Sequence, residues 1–239
     1  MLPGRPTPTV LGCFMMDRYT KDYSSIQRPV WLVLFISLTA SAIANTAAAR
    51  QPGVYQERAL AAAQQDFSGF GLKDCQQTLS LDSARYLAIC RLADPSAGSG
   101  PRLLMVDTQR SGPSALLFRS SDFGDAYYVK LTVFEKESHD SPDLVLAEFG
   151  AEFSYGVRVY TLDDAKLRLV GHIDAVLDQA GVASSVLPAL RIIDTGREIM
   201  FSFTESVMLP KPSGDYTEAA PGRLRYVLDG HKLRRSAAH

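Results

Sequence analysis

The sequence predicts an all-β fold, either an antiparallel sandwich or a propeller-like stack of short hairpins, preceded by one short N-terminal helix. Short alternating or β-branched segments recur from residue 75 onward, and Gly, Pro, Asp and Ser clusters separate them. That pattern is typical of strands joined by tight turns. Two cysteines also flank a segment that resembles a hairpin. Of the 239 residues, about 190 follow the leader, which is enough for one domain with a hydrophobic core.

The leader, residues 1–44, has the layout of a secretory signal peptide. Basic residues precede the apolar core Val30–Leu38, and small residues that include Ala42-Ile43-Ala44 follow it. This order predicts cleavage between residues 44 and 49 and a periplasmic or secreted protein. The alternatives are an inner-membrane anchor formed by residues 30–49 and a buried core segment. The strongly apolar part is shorter than the ~20 residues that a spanning helix needs, which favours cleavage.

Composition excludes a protein that binds nucleic acid through a strong positive field. The chain holds 25 basic and 26 acidic residues and has a formal net charge of −1. Nucleic-acid-binding domains usually concentrate excess positive charge. We therefore expect no nucleic-acid partner, and no membrane association once the leader is removed.

Residues 45–74 are expected to form a helix and a linker, and residues 75–239 a single β-rich domain. Val54–Phe67 is rich in Ala, Gln, Glu and Leu, which are good helix formers. Ser68-Gly69 then interrupts the pattern. The sequence thus predicts one short helix before the first strand.

Cys75 and Cys90 are predicted to form a structural disulfide. They remain after removal of the leader, and an even number of cysteines suits an oxidising compartment. The midpoint between them falls at Asp82-Ser83, so a hairpin that turns there places them opposite each other, close enough to bond. The C-x-x-C spacing of a redox pair is missing.

The remaining elements are short strands, with loops predicted at Asp94–Gly100 and Pro210–Gly222. Asp174–Leu187 is ambiguous and is compatible with a helical turn. The candidate strands are Cys75–Leu81, Ala84–Leu92, Arg102–Thr108, Ser114–Arg119, Tyr127–Glu135, Asp143–Phe149, Tyr155–Leu162, Lys166–Ile173, Ala189–Ile193, Glu198–Thr204, Leu224–Leu228 and Lys232–Arg235.

One internal match stands out. Tyr160–Arg168 and Tyr226–Arg234 both follow the pattern Y-x-L-D-[DG]-x-K-L-R. Asp-Asp and Asp-Gly both suit the positive backbone angles of a tight hairpin turn. The match is explained either by duplicated β-units or by two hairpins that acquired the same turn chemistry.

Residues 140–235 resemble two families. Asp140–Leu146, followed by Tyr155–Tyr160, resembles one unit of the FG-GAP/VCBS-type β-repeats. Those repeats often hold calcium, but here only Asp140 and Asp143 are present, and we expect no metal because calcium needs six or more oxygen ligands. Gly150–Gly156 and Gly222–Leu228 resemble a loop and the last strand of the periplasmic inhibitors of invertebrate-type lysozyme. That resemblance implies an exported β-protein that binds a hydrolase.

The sequence offers no catalytic group and no cofactor motif. The four histidines form no H-E-x-x-H pattern. Glu148 and Glu152 are close enough in sequence to face one cleft as a carboxylate pair, but they more simply flank a strand end. We expect neither catalytic residues nor a cofactor.

Aromatic loops are the better functional signal. Phe118, Phe123, Tyr127 and Tyr128 form one group, and a second lies between residues 149 and 156. Exposed aromatics are typical of recognition surfaces. The predicted contact residues are Phe149, Glu152, Phe153, Ser154 and Tyr155.

These features predict an exported binding protein with a protein partner in the cell envelope, of which an inhibitor of a cell-wall hydrolase is one specific form. The alternatives are a structural component of an envelope complex and a hydrolase whose site the sequence does not reveal.

Overall fold

The computed structural model describes residues 51–94, 96, 98–164 and 166–237, without the side chains of residues 113, 114 and 237. The predicted leader and its cleavage region, residues 1–49, lie outside the described residues. The all-β prediction is confirmed. The strands in these described residues are β1 (Gly53–Arg58), β2 (Leu72–Ser80), β3 (Arg85–Leu92), β4 (Arg102–Asp107), β5 (Leu116–Arg119), β6 (Tyr128–Lys136), β7 (Asp143–Gly150), β8 (Ser154–Asp163), β9 (Lys166–Ile173), β10 (Leu177–Gln179), β11 (Val182–Ser184), β12 (Leu190–Asp194), β13 (Ile199–Phe203), β14 (Val207–Pro210), β15 (Tyr216–Ala219), β16 (Leu224–Asp229) and β17 (Lys232–Ala237).

Helical structure in the described residues is limited to single turns. Within the described part of the chain, 3-10 turns occupy Ser68–Phe70, Gly112–Ala115 and Leu187–Ala189. None of the helices that the structure describes is long and apolar enough to cross a membrane.

A nine-stranded antiparallel sheet forms the centre of the fold, in the order β17-β16-β13-β12-β1-β6-β7-β8-β9. Strand β1 lies in the middle and pairs with β6 on one side and β12 on the other. Two meanders therefore extend from β1 in opposite directions, one formed by β6 to β9 and one by β12, β13, β16 and β17.

The sheet curls until its two edge strands approach each other. An ideal Cβ on Gly171 of β9 would lie 2.5 Å from the Cβ of Leu233 in β17, so the close approach requires glycine. Every strand contributes a buried side chain to the core that the curled sheet encloses. One from each, in sheet order, is Leu233, Tyr226, Phe201, Ile192, Tyr55, Phe134, Leu144, Val157 and Val170.

A second, four-stranded sheet in the order β2-β3-β4-β5 packs on the outer face of the β6–β9 half. Strand β7 is accordingly buried on both faces, with Leu144 and Leu146 on the enclosed side and Val145 and Ala147 under the second sheet. Strand β13 instead alternates between buried and half-buried residues. Continuous apolar runs thus mark the strands that are covered on both sides.

The predicted helix over Val54–Phe67 is wrong. Gly53–Arg58 is strand β1 in the middle of the large sheet, where Tyr55 is buried, and Ala62 forms a bridge with Leu79. Strand β12 pairs with the first two residues of β1 and β6 with the last four, and these tertiary contacts outweigh the modest helix propensity of the segment. The part of the predicted linker that includes β1 therefore belongs to the β-domain.

All twelve predicted strands are present, but two other segments differ from expectation. The predicted loop Pro210–Gly222 contains β15, which pairs with β14 as a two-stranded ribbon. Asp174–Leu187 contains the β10–β11 hairpin, with a single 3-10 turn starting at Leu187. Four residues or fewer in each strand leave too short a pattern for periodicity to reveal.

The Cys75–Cys90 disulfide is confirmed, with an S–S distance of 2.06 Å, between β2 and β3. The strands turn at Asp82-Ser83 as predicted. A bulge between Lys73 and Gln77 shifts the register. Continued from Gln77, the pairing would place Cys75 opposite Arg91, so the bulge is what brings the two cysteines together.

The two matched segments form equivalent hairpins, β8–β9 and β16–β17. Asp164 and Gly230 occupy the same turn position with φ of 51° and 60°. In the sheet order, the β8–β9 hairpin lies on one side of β1 and the β16–β17 hairpin on the other. Equivalent side chains of the two hairpins therefore face opposite sides of the sheet. Tyr160 accordingly packs under the second sheet, whereas Tyr226 lies in the enclosed core.

Candidate functional site

The predicted contact loop is the tip of the β7–β8 hairpin, between two glycines that its shape requires. A Cβ on Gly150 would collide with the carbonyl oxygen of Phe153. Gly156 has a φ of 116°, and a Cβ there would lie 2.5 Å from the carbonyl oxygen of Ile173. The tip, Ala151–Phe153, is therefore a tight turn that projects Glu152 and Phe153 into solvent.

The other predicted contact residues support this tip. Phe149 is half-buried and packs on Phe123 with ring centroids 5.2 Å apart, and the Arg158 guanidinium lies 4.2 Å above the Phe123 ring. Tyr155 is half-buried against Phe153, at 5.3 Å. Ser154 differs from expectation because it is only 4% exposed and its Oγ accepts a hydrogen bond from the Gly156 N–H. Ser154 thus holds the turn instead of facing a partner.

Exposed hydrophobic side chains from other elements surround the tip. Among the described residues, six large hydrophobic side chains are substantially exposed, and four of them line two shallow cavities that meet at Glu152 and Phe153. These four are Tyr127 (83% exposed), Phe153 (45%), Val182 (51%) and Tyr216 (41%). We call Tyr127, Glu152, Phe153, Tyr155, Val182 and Tyr216 the aromatic surface.

Three separate parts of the fold position the outer members of this surface. Tyr127 precedes β6 and is fixed by its own N–H, which donates to the Gly150 carbonyl at 2.7 Å. The Gln76 side-chain amide donates to the Tyr127 carbonyl at 3.2 Å, so the disulfide-linked bulge of β2 contacts Tyr127 directly. Val182 and Tyr216 come from the two ribbons, which a bridge between Val176 and Met208 connects.

A buried carboxylate lies at the base of the same hairpin. Glu148 is 3% exposed, and it accepts hydrogen bonds from Ser185 Oγ at 2.8 Å and from the Tyr128 hydroxyl at 3.5 Å. Burial, followed by the charge of Glu148, raises the pKa of Tyr128 above its ordinary value. Glu148 is therefore committed to internal bonds, whereas Glu152 faces solvent, and the two do not form the open carboxylate pair that catalysis would use.

A charged cleft of about 400 Å³ lies between β1, the β2–β3 turn and the β8–β9 turn. Two ion pairs lie in it: Arg58 lies 3.4 Å from Asp143, and Arg85 lies 2.6 Å from Asp82. Burial raises the pKa of the Asp143 carboxyl although the Arg58 guanidinium opposes the shift. Among the residues that the structure describes, no group of three or more His, Cys, Asp and Glu side chains is placed to hold a metal ion.

Sequence reasoning found the tip but treated the aromatics near Tyr127 as a separate group. Pairing of Tyr128 with Gly150 in the β6–β7 register brings the two groups together. A hairpin prediction over residues 127–150 could have revealed this. Val182 and Tyr216 were missed because their strands have three and four residues.

Comparisons of the chain with protein-family models, with curated proteins and with solved structures each find no match.

Proposed function

We propose that this chain is an exported, non-catalytic binding protein that docks a protein partner of the cell envelope on the aromatic surface. The clustering of four exposed large hydrophobic residues around one hairpin tip carries the proposal. Single exposed hydrophobics are common, but a contiguous apolar patch is typical of an interaction site. Tyrosine and phenylalanine are also enriched at the centres of protein interfaces.

Two further observations support this function. The tip is ordered by hydrogen bonds from the Ala151 N–H to the Phe153 carbonyl at 3.1 Å and from the Gly156 N–H to Ser154 Oγ at 3.3 Å, and Phe149 packs against Tyr155 beneath it. An ordered surface loses little conformational entropy on binding. The disulfide between Cys75 and Cys90 supports an oxidising compartment, since thiols in the cytosol are normally kept reduced.

Affinity capture with a matched pair of variants tests the proposal. The oxidised protein, produced from the full chain, is immobilised and exposed to envelope extract and, separately, to a panel of lysozymes. We expect one stoichiometric protein on the wild type that is lost with Tyr127→Ser/Phe153→Ser. It should be retained by Leu169→Ser, which removes an exposed hydrophobic side chain (47%) from β9, away from the aromatic surface.

The proposal is contradicted if every captured protein binds the double variant as well as the wild type. Circular dichroism of each variant establishes that it is folded before the comparison. If the immobilised protein captures a lysozyme and also inhibits its activity, the partner is a cell-wall hydrolase.

A further inference from the structure

The aromatic surface has two depressions separated by a ridge. Glu152 and Phe153 line both depressions and form the ridge between them. Val182 and Tyr216 form the wall of one depression, of about 410 Å³, and Tyr127 and Tyr155 form the wall of the other, of about 600 Å³. A partner that fills both must present two apolar groups, one on each side of the ridge.

The charged side chains that line these depressions and the cavity beside them are all negative. Glu152 is the single charged residue among the described residues that line the two depressions. A smaller neighbouring cavity shares Tyr216 and Gly181 with the first depression, and its lining adds one more carboxylate, Asp178. Lysine and arginine are absent from the described lining of all three cavities.

A partner that covers the ridge removes water from the Glu152 carboxylate. Burial of a carboxylate without a cation or hydrogen-bond donors is strongly unfavourable. A partner cation at that position would offset this cost and would also select among partners, because an apolar or acidic group there would be rejected.

We propose that the aromatic surface binds a protein loop in which two apolar side chains flank a lysine or arginine, with the basic group paired to Glu152. This inference rests on the proposed function and specifies the chemistry of the partner. Arginine suits the position especially well, since its guanidinium bonds a carboxylate in two places and also stacks on aromatic rings.

A library of disulfide-cyclised random peptides displayed on phage tests the inference without knowledge of the natural partner. The library is selected on the full-chain protein, and peptides that also bind Tyr127→Ser/Phe153→Ser are discarded. We expect the remaining peptides to share a basic residue between two large apolar ones. Their binding to Leu169→Ser should equal their binding to the wild type.

Two substitutions at Glu152 locate the basic residue. Glu152→Gln keeps the shape of the ridge and removes its charge, and we expect it to weaken the selected peptides about tenfold. A second selection on Glu152→Lys should yield peptides with Asp or Glu at the central position.

The outcomes separate the two claims. A library that yields no peptide dependent on Tyr127 and Phe153 overturns both this inference and the proposed binding function. Peptides that depend on these aromatics but lack a basic residue, or that bind Glu152→Lys equally well, overturn the inference alone and leave the binding function in place.

Discussion

Lys136 is a charged side chain at the centre of a buried polar network near the start of β1. Its side chain is only 2% exposed, and its Nζ lies 3.0 Å from the fully buried Asp194 carboxylate. The same Nζ donates to the Gln51 carbonyl at 2.7 Å, while the Gln51 N–H donates to Asp140 at 2.7 Å. Asp194 also accepts hydrogen bonds from Ser141 Oγ and the Gly196 N–H. The network therefore holds the chain at Gln51 against the end of β6.

Substitution Lys136→Met should lower the free energy of unfolding by about 3 kcal/mol, because it leaves the buried Asp194 carboxylate without its cation. Urea denaturation at pH 7 measures the change. Lys166→Met, which alters an exposed lysine of β9, should stay within about 0.5 kcal/mol of the wild type. If both substitutions change the free energy of unfolding equally, the buried network around Lys136 does not stabilise the fold more than an exposed lysine does.

The two aspartates of this network predict loss of stability in acid. Hydrogen bonds from Lys136, Ser138 and the Gln51 N–H hold the pKa of Asp140 well below its usual range. Burial alone would raise the pKa of Asp194, but bonds from Ser141, Gly196 and Lys136 bring it below the ordinary value. A carboxyl whose pKa is lower in the folded state stabilises the protein above its unfolded pKa of about 4, and that contribution is lost as the pH falls further.

The urea midpoint should therefore fall steeply below about pH 4, as Asp140 and Asp194 become protonated. Asp140→Asn should be less stable than the wild type at pH 7, and its midpoint should fall less on acidification. Parallel pH profiles of the two proteins would contradict this assignment.

At the scale of elements, Gly171 shows how the large sheet approaches closure. Its hydrogen atom allows β9 to lie directly against Leu233 of β17, where a Cβ would come within 2.5 Å of another Cβ. The clash would involve an atom fixed to the backbone, which cannot rotate away. A methyl group here must push the two edge strands apart.

Gly171→Ala should therefore destabilise the protein by about 1–3 kcal/mol, as overpacking of a well-filled site does. Gly69→Ala is the matched control, because a Cβ there has no neighbour within 4 Å. It should leave stability unchanged within about 0.5 kcal/mol. Thermal denaturation of both variants compares them, and an unaltered Gly171→Ala would argue that the edge strands do not pack tightly in solution.

The disulfide is the second element-scale constraint. It closes a segment with a sequence separation of 15 and fixes the β2 bulge that contacts Tyr127 through Gln76. Cys75→Ala/Cys90→Ala should lower the free energy of unfolding by about 3 kcal/mol. Dithiothreitol should destabilise the wild type by a similar amount and leave the double variant unaffected. A wild type insensitive to reduction would contradict the structural role of the bond.

Over the whole molecule, sequence reasoning recovered the local hairpins better than their arrangement. The β2–β3 hairpin and the longer strands between residues 102 and 235 follow from alternation and turn residues, whereas the short strands of the two ribbons do not. Strand β1 could not be predicted, because its position depends on β6 and β12, which lie far away in the chain. The matched Tyr160 and Tyr226 segments show the same limit: similar local chemistry forms equivalent turns, but the faces of the two hairpins point in opposite directions.

The candidate site shows this limit again. The aromatics of Phe149–Gly156 predict this loop as a contact surface. Its partners Val182 and Tyr216 lie about 30 and 60 residues further along the chain and reach the surface only through the two ribbons. Assembly of the surface is thus a tertiary property that no local pattern records.

Photo-crosslinking in living cells tests directly whether a protein partner binds the aromatic surface. A photoreactive benzophenone amino acid replaces, one at a time, Tyr127, Phe153, Val182 and Tyr216. The controls are Val54 and Leu169, the two other large hydrophobic residues that are exposed in the part of the chain that the structure describes. We expect a covalent adduct of the same mass from the four positions of the aromatic surface and none from the two controls. Adducts from Val54 or Leu169, with none from the aromatic surface, would place the interaction elsewhere and contradict the account.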